Sequence, residues 1–172
     1  VFDNANVGTG KTVTITSSYG GADVNNYTIT DQASTTADVT TKSLTATASA
    51  ANKVYDGTTT ATTTLTFTGL VGSETLGQTV GSTFNNKNVG TGKAVTVNSI
   101  TLTDGTGLAT NYSISPGQTT TANITAKALT AIASATNKVY DSTTLANTTL
   151  TLSGLIGSET LNVTANSTFD NK

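Results

Sequence analysis

The sequence predicts an all-β protein built from tandem small domains. Three observations predict it. A long internal repeat runs through the 172 residues. Apolar and polar residues alternate with period two in short runs. Thr fills about a quarter of the chain, and this β-branched residue is stiff at χ1 and suits a pleated strand.

The repeat is the strongest of the three. Lys-Ser-Leu-Thr-Ala-Thr-Ala-Ser-Ala-Ala-Asn-Lys-Val-Tyr-Asp-Gly-Thr-Thr-Thr at 42–60 returns at 127–145 as Lys-Ala-Leu-Thr-Ala-Ile-Ala-Ser-Ala-Thr-Asn-Lys-Val-Tyr-Asp-Ser-Thr-Thr-Leu, at an offset of 85. Leu-Thr-Phe-Thr-Gly-Leu-Val-Gly-Ser-Glu-Thr-Leu (65–76) returns at 150–161, and Ser-Thr-Phe-Asn-Asn-Lys (82–87) at 167–172. The segment 2–15 matches 84–97 at offset 82, whereas 25–29 matches 110–114 at offset 85. A length change marks a surface loop, so the stretch around 98–109 is expected to be exposed. The chain then divides into 1–41, the C-terminal part of a repeat; 42–126, one complete repeat; and 127–172, the N-terminal part of the next. Either the chain is a window on a longer array, or neighbouring chains complete each other's modules head to tail, an open contact that builds filaments.

Taken in order, the alternating runs place strands. In 11–17, Val13 and Ile15 share a face against Thr12, Thr14 and Thr16. Leu44, Ala46, Ala48 and Ala50 make a weak stripe of small residues. Leu65 and Phe67 face a core in 64–68. The run 94–103 alternates, breaks near Asn98 and Ser99, and resumes with Ile100 and Leu102; 149–153 repeats the 64–68 pattern. Turn chemistry separates them at Asp56-Gly57, Gly69, Gly72-Ser73 and Asp104-Gly-Thr-Gly. Asn-Val-Gly-Thr-Gly-Lys (6–11 and 88–93) lacks phosphate-loop spacing and reads as a hairpin turn. No segment sustains a helical period, so parallel sheets with crossover helices are not expected. Six to eight short strands per module suit a small β-sandwich-like domain, Ig-like or β-grasp-like. A module this small buries little, so Tyr55, Phe67, Phe84 and Tyr112 must supply much of its core. The connectors 40–45 and 125–130 lack Gly and Pro and read as strand running through the module boundary, which limits hinging.

Charge and composition narrow the function. The formal net charge is −2, and Cys, Met, Trp and His are absent. Nucleic acid and anionic membranes need clustered basic surface, and no apolar run is long enough to span a bilayer as a helix. A Cys-free, Thr/Asn/Gly-rich β-chain fits a bacterial surface protein, with any targeting segment outside these residues.

Each motif that could carry chemistry has a plainer reading. Lys53-Val54-Tyr55-Asp56 and Lys138-Val139-Tyr140-Asp141 read as a buried Tyr followed by an Asp-initiated turn. Lys53 or Lys87, an Asn and Glu74 or Glu159 are the ingredients of a Lys–Asn crosslink, which needs a buried apolar site. Glu74 and Glu159, the only glutamates, read as solvated turn residues rather than a catalytic pair. Asp104 offers one carboxylate where calcium wants several oxygens. Short, twisted Thr arrays are poor ice-binding planes. No catalytic residue, cofactor or metal ligand is therefore expected.

The Asn-Lys-Val-Tyr-Asp-Gly-Thr-Thr stretch at 52–59 with its Lys-Ser-Leu-Thr lead, Phe-Asn-Asn-Lys-Asn-Val-Gly-Thr-Gly-Lys at 84–93, and Asn-Tyr-Ser-Ile at 111–114 together resemble the bacterial YDG repeat domain. The resemblance covers essentially the whole chain. Ser142 departs from it, standing where the family has Gly; at positive φ this costs about 1 kcal/mol. The resemblance implies large secreted adhesins and haemagglutinin-like proteins that carry such domains in long arrays, with no catalytic residues to carry over. The expected role is a spacer, stalk or filament outside the cell, whose partners are adjacent repeats or neighbouring copies. The alternative is an adhesive module for a glycan or host surface, with contact loops at 17–25, carrying Tyr19 and Asn25, and at 104–110.

Overall fold

The computed structural model describes residues 1–170. Asn171 and Lys172, the end of the second Ser-Thr-Phe stretch, lie outside the described residues. Residues 1–41 hold β1 (Gly8–Thr14) and β2 (Ser34–Val39), an antiparallel pair. Residues 42–126 hold β3 (Lys42–Ser43), β4 (Thr45–Ala50), β5 (Lys53–Val54), β6 (Thr60–Ala61), β7 (Thr63–Thr68), β8 (Leu76–Phe84), β9 (Gly90–Asp104), β10 (Tyr112–Ser113) and β11 (Thr119–Thr125). The last part holds β12 (Thr130–Ala135), β13 (Leu145–Ala146), β14 (Thr148–Ser153) and β15 (Ser167–Thr168). The protein is all-β: among the described residues the only helical segments are two single 3-10 turns, Val24–Asn26 and Ala109–Asn111. Among the described residues no helix is long and apolar enough to cross a membrane.

Residues 42–126 form two layers. One is a five-stranded sheet in the order β5-β11-β9-β8-β6, and the other is the antiparallel pair β4-β7, which lies against β11 and β8. Between them Ala61, Phe84, Val95, Ala122 and Ile124 are buried, with Ala50 and Tyr55 packed against the cluster. Leu44, Leu65, Val97 and Tyr112 are buried as well. The alternation explains the choice: Val95 and Val97 point inward from β9 while Thr96 between them is exposed.

The break in the 94–103 pattern is a β-bulge. Gly81 pairs with Ser99 and Ser82 with Val97, which leaves Asn98 unmatched. The extra residue shifts the phase of the strand by one. Ile100 and Leu102 therefore return to the inner face as half-buried residues.

Three expectations need correction. The stretch 98–104 is strand, because β8 supplies a partner as far as Asp104; the turn runs over 105–111 and includes the 3-10 turn Ala109–Asn111. The Val-Gly-Thr-Gly stretches are bulges inside strands, since the register slips between Gly8 and Lys11 and again between Ala122 and Ile124 opposite β9. Gly10 and Gly92 hold φ of 60° and 57° there, and the freed Gly N–H groups donate to the Asp38 and Asn123 side chains, both at 2.8 Å. Two short parallel pairs also occur, β3 with β10 and β5 with β11 over two residues each, and their connections are the rest of the module, not a crossover helix. Residues 42–126 carry nine strand segments because four of them are two-residue pieces.

Residues 127–170 repeat one half of this plan. β12 pairs β14 and β13 pairs β15, in the places of β4, β7, β6 and β8. Positions that line the core between 42 and 126 are exposed here: Tyr140 is 77% accessible and Phe169 41%, where Phe84 is 3%.

Candidate functional site at the repeat junction

The Lys-Val-Tyr-Asp element builds a cation clamp. Asp56 accepts the backbone N–H of Thr58 at 2.9 Å, an Asx turn. Lys53 folds back onto it, donating to Asp56 Oδ1 at 2.7 Å, Thr58 O at 2.8 Å and Thr60 O at 3.0 Å. The ammonium also stands 5.6 Å from the centre of the Phe84 ring. The second copy repeats it: Lys138 donates to Asp141 at 2.8 Å and Thr143 O at 2.9 Å, 5.6 Å from the Phe169 ring. The Lys hydrogen bond, then the Thr N–H and hydroxyl, pull both Asp carboxyls down to about 2. The clamp fixes a turn with φ of 76° at Gly57 and 63° at Ser142, the one non-Gly residue at positive φ among the described residues.

Tyr55 is half-buried rather than buried, and Tyr140 is exposed. The ring of Tyr55 packs on the core, but its hydroxyl leaves the module and donates to Glu159. Lys87 reaches the same carboxylate at 3.7 Å. Ile156 from the same turn comes so close to Gly57 that a Cβ there would meet Ile156 Cγ2 at 3.0 Å. Tyr55 and Val89 from one side and Leu129, Ile156 and Leu161 from the other line a groove of about 540 Å³. Accepting from Tyr55 makes the Glu159 carboxylate the main cause of a raised Tyr55 pKa, with desolvation second.

The first Glu is held differently. Tyr112 donates to Glu74 and its hydroxyl accepts the Val71 N–H at 3.1 Å, so one buried ring pins both ends of the Val71–Glu74 turn. Gly107 allows this approach: a Cβ on it would stand 2.6 Å from Glu74 Oε2. Neither glutamate is the solvated turn residue that spacing suggests, because each accepts a hydrogen bond from a tyrosyl hydroxyl. Their partners lie 38 and 104 residues away in sequence, and no local pattern links them; the one signal is that Glu recurs once per repeat at a fixed place.

The other candidates are occupied. Asp104 accepts the Ala109 N–H at 2.7 Å, and Thr75 and Thr106 bond reciprocally at 2.8 and 3.2 Å, which ties the 104–110 loop to its own module. In the other proposed contact loop, Tyr19 is 53% accessible and donates to Asp31. Lys53 is committed to the clamp, and Lys87 is half exposed; neither has the apolar enclosure a crosslink needs. Among the described residues the buried Lys is Lys11, 9% accessible, held by Asn4 O at 2.8 Å, Asn6 O at 2.7 Å and Asp3 at 3.2 Å. It pins the 3–11 loop, and Lys93 reaches Asn86 at 2.6 Å in the equivalent place. Among the described residues no three His, Cys, Asp or Glu side chains converge as metal ligands would.

A family model described as YDG domain matches residues 1–37, 40–122 and 125–172. The chain belongs to the YDG domain family. No curated protein and no solved structure matches it. The Lys-Tyr-Asp clamp and the Tyr–Glu contacts described above are thus features of adjoining YDG modules.

Proposed function

We propose that these YDG modules form a non-catalytic spacer, a stalk or filament on the outer surface of a bacterium. The observation that carries the reading is the junction at Tyr55, Lys87 and Glu159, where side chains of one module grip the next. Several features point the same way. Two residues separate β2 from β3 and four separate β11 from β12, so little slack lies between modules. The polar side chains most suited to chemistry are engaged in turns and junctions. Low charge and abundant Thr on the strands give a wettable face with few ionic contacts. In this role the partners are adjacent repeats of one chain, or neighbouring copies arranged head to tail.

Antibody labelling of intact source cells, imaged by electron microscopy, tests the reading. Gold along thin projections outside the envelope is the expected result. Label that appears only after the cells are lysed would refute it.

A further inference from the structure

We propose that the glutamate of each Gly-Ser-Glu-Thr turn is a two-tyrosine node. It takes one hydroxyl from its own module and one from the module before it. The face around Tyr55, Gly57 and Val89 is the docking surface for that turn. The inference deepens the spacer reading and rests on it.

The chain shows each half of the node once. Glu74 and Glu159 occupy equivalent places, 85 residues apart, in the same Gly-Leu-Val/Ile-Gly-Ser-Glu-Thr sequence. Tyr112 donates to Oε2 of Glu74 within one module. Tyr55 donates to Oε1 of Glu159 across a junction. A carboxylate offers two oxygens with about four lone-pair sites, so one glutamate has acceptor capacity for both hydroxyls.

The surroundings repeat as well. The cavity beside Glu74, about 280 Å³, is lined by Val7, Val39, Val71 and Tyr112. Val7 and Val71 are the counterparts of Val89 and Ile156, which line the groove beside Glu159. At this first junction Asn111 adds cross-module bonds, accepting the Val7 N–H at 2.9 Å and donating to Asn6 at 3.0 Å.

Gly57 holds positive φ and has Ile156 against its bare Cα. A side chain at 57 is excluded by the neighbour as well as by the backbone.

The absence of cysteine allows clean labelling of the 172-residue chain. Spin labels at Thr66→Cys and Thr151→Cys, equivalent exposed positions in successive modules, report the junction by pulsed dipolar distance measurement. The parent should give one narrow distance. Tyr55→Phe and Glu159→Ala should each lose it, with melting of residues 42–126 unchanged. Tyr112→Phe should instead lower that melting temperature. A distance as narrow in Tyr55→Phe and Glu159→Ala as in the parent overturns the node and leaves the spacer reading standing. A broad distance in the parent overturns both.

Discussion

Ile124 is where the small core of residues 42–126 is most open to test. Its side chain is 1% accessible and touches the cluster of Ala61, Phe84, Val95 and Ala122. Ile124→Ala removes three carbons, each worth about 0.8 kcal/mol in transfer from water, or about 2.4 kcal/mol together. The cavity left behind raises the cost to about 3–4 kcal/mol, inside the range of about 2–5 found for such changes. A domain this size melts about 4–8 °C lower per kcal/mol lost, so the transition should fall by about 12–30 °C. The same chain holds its own control. Val39 is the counterpart of Ile124 in the first part and is only half-buried. Val39→Ala removes two carbons, already part-wetted, for about 0.8 kcal/mol. Calorimetry on the whole chain, with near-ultraviolet circular dichroism of the tyrosines to follow packing, reads both. If Ile124→Ala melts with the parent, or Val39→Ala costs as much, the two-layer core is misassigned.

Three further outcomes follow from the same structure. Deleting Asn98 removes the bulge and turns Ile100 and Leu102 toward solvent, so amide exchange should accelerate across Leu76–Val80 while Ser82–Phe84 stay protected. Ser142→Gly relieves the positive φ and should stabilise the 138–143 turn by about 1 kcal/mol, read as slower exchange at Thr143, whose N–H is held by Asp141 at 3.0 Å. Asp56 and Asp141 are held at about 2 against an ordinary 3.8. Their contribution is thus complete above about pH 4 and lost as pH falls through about 2; carboxyl titration by NMR should place both midpoints near that value, and midpoints near 3.8 would mean the Lys clamp is not formed.

Much of the fold was legible because it rests on local pattern. The alternation named Val13, Leu65 and Ile100 as inward residues, and the break at Asn98 was visible as a phase change before any pairing was known. The positive φ at Gly57 could be read from Asp-Gly after a strand. What was not legible depends on distant partners. Val-Gly-Thr-Gly looked like a hairpin turn because a Gly at positive φ serves a turn and a bulge equally; only pairing with Asp38 or Asn123 decides between them. The parallel pairing of β5 with β11 brings Lys53 beside Ile124, 71 residues on. Glu74 and Glu159 read as solvated because the tyrosines that hold them lie in another strand or another module. The burial of Lys11 carries no sequence signal, since it comes from a loop that closes over the side chain.

The claim that YDG modules stack into a stiff spacer is tested most directly by the length of arrays. Small-angle scattering on chains of two, four and eight repeats gives the maximum dimension of each. Gripped junctions predict growth by a constant increment per repeat. Growth as the square root of repeat number, the behaviour of freely jointed beads, would contradict the account.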